Sequence, residues 1–399
     1  MRAFGICLCL VIYSSLVLTS KHHRLSRVLS LLDNDTLAAT ALDNLNLHSR
    51  TNHTARTGNC TVENAIKRRE WGDLTLGERK QYIDAVLCLS RKPPITPLSE
   101  FPGVRSRYDD FVATHVNQTQ DIHSTSRFLS WHRYYVWSYE NALRTECGYS
   151  GSQPYYNWAK WADDPEASPM FDGSETSLSG NGAYIAELPL FEDSPILPRG
   201  RGGGCIHSGP FANFSVNLGP IAAYWQDVPR NPDAESAILH RMPGGRSYNP
   251  RCIRRDISKH VSMSATSDAN VTDLIMNSHN YTSFQKTLEG TPARAGFMGI
   301  HFGGHYTYGG DPGGDFYMSP GDPAFWPHHA SIDRIWWTWQ NMEPETRPWE
   351  VGLTLTMNDD PPSRLGSLDD SLDMGVNGRE YRVRDLVSSL RGPFCYIYV

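Results

Sequence analysis

Fifteen histidines are distributed over 399 residues, and seven of them gather in two short spans. His115, His123 and His132 form one cluster, the last two bracketing the start of HSTSRFLSWHRYYVWSYE; His301, His305, His328 and His329 form the other. In HFGGH, His301 and His305 stand four apart, the spacing that projects two side chains from one face of a helix. Gly303 and Gly304 between them weaken such a helix by about 1 kcal/mol each, which makes sense where close backbone packing is wanted. Each cluster offers three neutral nitrogen donors and no thiolate, and imidazole suits zinc, copper, iron and nickel alike. Two three-histidine sites on facing helices leave open positions on both metals, which matches a dinuclear copper centre that takes dioxygen. A lone buried histidine is more often a hydrogen-bonded core residue. His22, His23, His48, His53, His207, His240, His260 and His279 are read in that ordinary way, and the aromatic run around His132 would by itself be helix core.

Helices must position these side chains. Helical spacing of Val62, Ile66, Trp71, Tyr82, Val86 and Leu89 predicts a helix from about Cys60 until Pro93 and Pro94 stop it. A second helix is expected from Ser106 to Val116, a third from Ser126 to Cys147, and a last over Pro327–Gln340 with Pro327 as its first residue. His115 then closes one helix, His123 lies in a connection and His132 sits mid-helix. From Gly148 to Gly290 the chain reads as mostly irregular, with turn signals such as RGRGGG and MPGGRSYNP. RPWEVGLTLTM and CYIYV suggest short strands or extended cover.

The start of the chain sets the compartment. Arg2 followed by an apolar run to Leu18 reads as a signal peptide over 1–20, too short for a membrane span. Seven N-x-[ST] sequons, at Asn34, Asn52, Asn59, Asn117, Asn213, Asn270 and Asn280, agree with secretion to the extracellular space. Residues 21–59 are polar, with at most one short amphipathic helix, and read as a mobile arm or removable pro-segment. Residues 60–399 form the expected catalytic domain, since 26 prolines and 33 glycines are spread without a linker. Cys7 and Cys9 leave with the signal peptide; the other six suggest three disulfides, Cys60 with Cys88, Cys205 with Cys252 and Cys147 with Cys395. A net charge of −6 without basic runs gives no footprint for nucleic acid, and no later stretch is apolar enough for a membrane.

HSTSRFLSWHRYYVWSYE resembles the first copper motif of tyrosinases and catechol oxidases, and DPAFWPHHASIDRIWWTWQ is similar to their second. RREWGDLTLGERKQYIDAVLCL is similar to the family's first helix, so the resemblance runs from Cys60 to Val399, and the spacing of the first three histidines resembles a short, secreted fungal branch. The resemblance implies a mainly α fold: a four-helix bundle core carrying a dinuclear copper site, with long irregular loops and a few short strands. It assigns His115, His123 and His132 to the first copper ion and His301, His305 and His329 to the second. It leaves His328 to hydrogen-bond around them. Asp333, one turn beyond His329, and Arg334 either orient the ligand helix or pin it through an ion pair.

The implied activity is oxidation of o-diphenols to o-quinones by dioxygen, with a small phenol and O2 as partners. Phe302 and Tyr306 border the expected substrate pocket. Family members that also hydroxylate monophenols often hold a water between a glutamate and an Asn or Asp after the first second-site histidine; here that residue is Phe302, which has no acceptor and favours diphenol oxidation. Glu289 resembles the glutamate, although it stands twelve residues before His301 and could equally be a helix-end carboxylate. Asp121 occupies the place where some members have a cysteine thioether-linked to the middle histidine, so that crosslink is not expected. YIY (396–398) resembles the motif that closes the family's catalytic domain, and the sequence ending at Val399 leads us to expect no shielding domain. Two alternatives remain at this stage: a hemocyanin-like reversible oxygen binder, and an o-aminophenol oxidase in a biosynthetic pathway.

Overall fold

A computed structural model describes residues 33–51, 60–186, 199–222, 244–290 and 298–399. The expected signal peptide, Cys7, Cys9, His22, His23, Asn52, His53, Asn59 and His240 lie outside the described residues. In chain order the elements begin with α1 (Asn34–Thr51), β1 (Ile66–Arg68), α2 (Leu76–Leu89), α3 (Arg107–Ile122) and α4 (Phe128–Cys147). Four short strands follow, β2 (Gly182–Tyr184), β3 (Gly203–Ile206), β4 (Ser215–Val216) and β5 (Arg251–Cys252). Then come α5 (Lys259–Ala265), α6 (Asp268–Asn277), α7 (Tyr281–Glu289), α8 (Gly299–Tyr308) and α9 (Phe325–Met342). The chain closes with β6 (Ser371–Leu372), β7 (Tyr381–Arg382), α10 (Val383–Leu386) and β8 (Tyr396–Tyr398).

The core is the bundle of α3, α4, α8 and α9, and aromatic side chains glue it. Trp131, Tyr135 and Tyr139 of α4 and Trp326, Trp336, Trp337 and Trp339 of α9 are almost wholly removed from water. Tyr139 lies flat on Trp326 at 3.6 Å, and Phe111 of α3 meets both edge-on. Each such burial contributes about 1.5–3 kcal/mol, before the added gain of paired rings. Caps fix where the helices begin: Ser106 and Asp109 form a reciprocal cap on α3, and Gly148, left-handed at φ 68°, ends α4. The α3 helix extends past Val116 to Ile122, and α9 starts at Phe325, so Pro327 occupies its third position, where its missing N–H is still no loss.

An ionic knot ties the histidine helices together. Asp333 of α9 accepts from Arg133 Nε of α4 (2.6 Å), Arg68 Nη1 of β1 (3.3 Å) and the hydroxyls of Tyr396 (2.5 Å) and Tyr398 (2.6 Å) of β8. Burial alone would raise this carboxyl, yet the two guanidinium groups and two hydroxyls hold it below its ordinary range. Arg68 also pairs with Glu140 of α4, and Arg133 reaches Gln340 of α9. β8 lies parallel to β1 in the register Ile66↔Tyr396, which brings the chain end to the start of the domain.

Several expectations need correction. The helix predicted from Cys60 is a strand and a 3-10 turn as far as Asp73; helix α2 starts only at Leu76, because Thr75 and Glu78 cap each other there. Two disulfides pair differently: Cys60 with Cys395 and Cys88 with Cys147, while Cys205 with Cys252 is as expected. The physical reason is the β1–β8 pairing, which carries Cys395 to Cys60; the ends of α2 and α4 bring the other two together. Residues 259–289, read as irregular, are the three helices α5 to α7, whose capping residues Ser258, Ser267 and Asn280 look like turn punctuation in sequence. RPWEVGLTLTM holds a 3-10 turn and a single bridge between Thr354 and Leu365 in place of a strand.

Nor are residues 34–51 a loose arm. Leu37, Ala41 and Leu45 form a buried stripe packed on α9, Asn34 bonds Asp268 and Arg334, and Asp35 bonds Arg334 and Asn157.

Candidate metal centre

The bundle brings seven histidines to its middle. His115 rides on α3, His132 on α4, His301 and His305 on α8, and His328 and His329 on α9; His123 alone comes from a loop, directly after α3. Within each group, one potential ligand atom per residue lies within 4.8 Å of the others: His115, His123 and His132 in the first, and His301, His305, His328 and His329 in the second. The groups face each other. The rings of His132 and His329 stack at 4.5 Å, and those of His123 and His301 lie 5.9 Å apart at 25°.

Hydrogen bonds set the tautomers of the first group. His115 Nδ1 is 2.8 Å from the Tyr317 carbonyl, His123 Nδ1 is 2.8 Å from the Thr119 carbonyl, and His132 Nδ1 is 2.8 Å from the Phe128 carbonyl. Carbonyls only accept, so each Nδ1 carries the proton and each Nε2 keeps its lone pair. In the second group His305 Nδ1 sits between the Gly313 carbonyl (3.2 Å) and the Tyr308 hydroxyl (3.0 Å).

The donor set fits metal ions. Nε2 of His115 and His132, both nitrogens of His301 and Nδ1 of His329 are buried without a hydrogen-bond partner. Buried polar atoms are normally satisfied, so a group of orphans aimed together calls for a missing partner. His305 Nε2 and His329 Nε2 meet at 3.1 Å, within hydrogen-bond reach, so both rings turn that nitrogen into the same space. Burial holds His123 down at about 4 and His305 at about 3, and pushes the other five well below the ordinary imidazole value, so all seven are neutral at pH 7. Neutral is the ligating form.

His328 is the odd member. The His301 backbone acts on it as a hydrogen-bond partner, although neither nitrogen meets one at close geometry. Its ring packs on the edges of His305 (4.3 Å) and Trp158 (5.1 Å), whereas His329 stacks on the first group, which favours His329 in the facing set. Gly304 makes room for it: a Cβ there would fall 2.2 Å from His328 Cε1, and one at Gly303 would fall 2.2 Å from Ala265 Cβ of α5. The hydrogen-bond partners of Asp333 are the arginines and tyrosines of the knot, so it pins helices.

Aromatic rings border the histidine groups. Phe302 and Tyr306 are half-buried on α8, and Phe302 lies 5.0 Å from His301. Phe316, not singled out from the sequence, is half-buried, 4.6 Å from His123 and 6.4 Å from Phe302 at 27°. Phe325 was also passed over, although it stands inside the second motif; its ring stacks on His329 at 4.1 Å and touches His115 and His305. Glu289 ends α7, buried, with Oε1 accepting from Gln285 Nε2 (3.0 Å) and from the backbone N–H of Ser124 (3.3 Å), the residue after His123. Burial raises its carboxyl to about 7 against the hydrogen bonds from Gln285 and from the Ser124 side chain and backbone. Each of the six cysteines among the described residues is in a disulfide, which leaves none of them to link to His123.

Comparison with known proteins agrees with this geometry. A family model described as the common central domain of tyrosinase matches residues 105–342. Tyrosinase P of Aspergillus terreus is 39% identical over 339 residues, covering 83% of this chain and 91% of the relative. N-acetyl-6-hydroxytryptophan oxidase of Emericella nidulans is 38% identical over 356 residues, covering 85% and 93%. Among solved structures, a variant polyphenol oxidase from Thermothelomyces thermophila superposes with a TM-score of 0.83 at 40% identity, covering 91% of this chain and 97% of that one.

Proposed function

The chain belongs to the tyrosinase family, a copper-dependent oxidoreductase with a dinuclear copper centre, and from that premise we propose that it oxidises o-diphenols to o-quinones with dioxygen. In this reading His115, His123 and His132 hold one copper ion and His301, His305 and His329 the other. The observation that carries it is the pair of facing histidine groups, in which Nε2 of His115 and His132 and both nitrogens of His301 are buried without a partner.

When bound, the copper pair supplies the two-electron exchange with dioxygen that side chains cannot. The protein's part is geometry, access and protons. Carbonyl anchors on Nδ1 keep the first three imidazoles aimed inward. Phe302 and Phe316 flank the gap above His123 and His301 and offer faces on which a phenol ring stacks while its hydroxyls point down. Phe325 and Phe128 wall the interior and exclude water from it. Glu289, with its carboxyl at about 7 and held by Gln285 and Ser124, takes the proton from a substrate hydroxyl in this reading. Phe302 supplies no acceptor opposite Glu289, which supports diphenol oxidation as the main activity with weak monophenol hydroxylation.

A second reading concerns the substrate. One relative is an oxidase of N-acetyl-6-hydroxytryptophan, and the aromatic mouth of Phe302, Tyr306 and Phe316 suits a bicyclic hydroxyarene or aminophenol as well as a simple catechol. The six disulfide-bonded cysteines fit an oxidising compartment and secretion. Copper analysis with oxygen-uptake assays tests the proposal. Two coppers per chain and continuous oxygen consumption with catechol, slower with tyrosol, are expected; stoichiometric oxygen binding without turnover would overturn it.

A further inference from the structure

His123 is the one candidate ligand not carried by a helix, and its ring lies 4.6 Å from that of Phe316. Its ring is anchored by one bond to Thr119, so the position of its backbone depends on the connection Ser124–Arg127. Most backbone polar groups of that connection are taken by something outside it, while the Arg127 N–H donates to Thr125 Oγ1 within it. Ser124 N–H donates to Glu289 Oε1, and the Ser124 carbonyl accepts from Asn358 N–H at 3.4 Å. The Thr125 carbonyl accepts from Gln285 Nε2 at 2.7 Å. Ser126 N–H donates to the Thr354 carbonyl at 2.9 Å, and its own carbonyl accepts from the Tyr281 hydroxyl at 3.2 Å.

Two elements supply these partners. Tyr281, Gln285 and Glu289 are spaced i, i+4, i+8, one stripe along α7, and all three are buried and reach the same connection. On the other side the segment 353–366 crosses it like a strap, with Gly366 so close that a Cβ would meet the Ser126 side chain at 2.1 Å. The backbone is strained at this crossing. Of five non-glycine residues with positive φ among the described residues, four lie here: Ser124 (51°), Leu353 (64°), Asn358 (55°) and Asp359 (59°). Left-handed conformations outside glycine are uncommon and persist only where surrounding contacts over-determine them.

We infer that the polar stripe of α7 and the strap 353–366 together form a clamp that positions His123, with Gln285, Ser124 and Asn358 as its positioning residues. The clamp joins two parts of the reaction centre, because Ser124 N–H carries the position of His123 to Glu289 and Gln285 holds both the connection and that carboxyl. The inference rests on the reading of His123 as a copper ligand.

The test uses copper-loaded full-length protein with catechol as substrate. Gln285→Met removes the donor while keeping length and bulk, and is expected to lower kcat or copper affinity by about tenfold or more, as loss of outer partners of a metal site does. Ser124→Val and the exposed Asn358→Val place a β-branched residue at positive φ and are expected to act in the same direction, whereas Ser124→Gly and Asn358→Gly, which suit that φ, should lie much closer to wild type. EPR of the copper(II) protein gives a readout that simple destabilisation does not move: a displaced His123 uncouples the pair and a copper(II) signal appears. If Gln285→Met does not accumulate as folded protein, the Asn358 pair decides. Wild-type kcat, KM and EPR in Gln285→Met, or equal behaviour of Asn358→Val and Asn358→Gly, would overturn the clamp. A wild-type protein that holds fewer than two coppers would instead overturn the ligand assignment beneath it.

Discussion

The two halves of the metal centre are held by different forces. In the first, all three imidazoles are fixed through Nδ1 to backbone carbonyls, two of them four residues earlier in the chain. In the second, only His305 has such an anchor; His301 has no partner on either nitrogen and His329 none on Nδ1. Those rings are aimed by packing, with Phe325 on His329 and His328 filling the notch that Gly304 leaves open. Hydrogen bonds tolerate small changes in side-chain volume, whereas a site aimed by contact does not. The first half therefore belongs to the backbone and the second to the shapes of its neighbours.

Substitutions can break or sharpen this contrast. The largest effect is expected from His132→Ala, which removes a proposed ligand: oxygen uptake with catechol should fall to background and copper content to one ion or fewer per chain, read by metal analysis. Asp333→Ala should strike both halves alike, since it leaves Arg133 and Arg68 buried without their shared counter-charge; a loss of about 3–5 kcal/mol is expected in urea unfolding. Retention of one fully occupied half in that variant would show that the knot does not serve both.

Glu289→Gln addresses the first half through its neighbour. The carboxyl is raised from 4.5 to about 7, so the native state keeps a proton that the unfolded chain releases. Stability of metal-free protein should fall as pH rises from about 4.5 to about 7 and level off above, by up to about 3 kcal/mol. The glutamine variant should lose that part of the slope but not all of it, because Glu70, also raised to about 7 by burial, titrates in the same window. Gly304→Ala probes the second half alone. Its Cβ collides with His328, at about 1–3 kcal/mol for overpacking, and should weaken copper binding at the second site while the first stays filled. His328→Ala in the same chain should restore it; failure to do so would mean that His328 does more than fill space.

Much of the centre is legible in sequence. Six candidate ligands, the bundle and the two copper motifs rest on long, specific patterns, and HFGGH already poses the question that Gly304 and His328 answer. Elsewhere local signals mislead. Disulfide partners depended on a parallel pairing of two three-residue strands at opposite ends of the chain, which no local period encodes. Helices α5 to α7 are short and polar, and their caps mimic loops. Phe316 and Gln285 owe their roles to contacts between remote segments, and no spacing points to them. Residues 34–51 read as part of a polar arm, yet three buried apolar residues suffice to seat them once Arg334 receives the end of the helix.

That docking has a consequence for biosynthesis. Asn34 opens an N-x-[ST] sequon, but in the folded molecule its Nδ2 is 2.6 Å from Asp268 and the residue is 4% exposed, while Asn117, Asn213 and Asn280 stand at the surface. A sugar on that amide nitrogen and the seated first helix would therefore exclude one another.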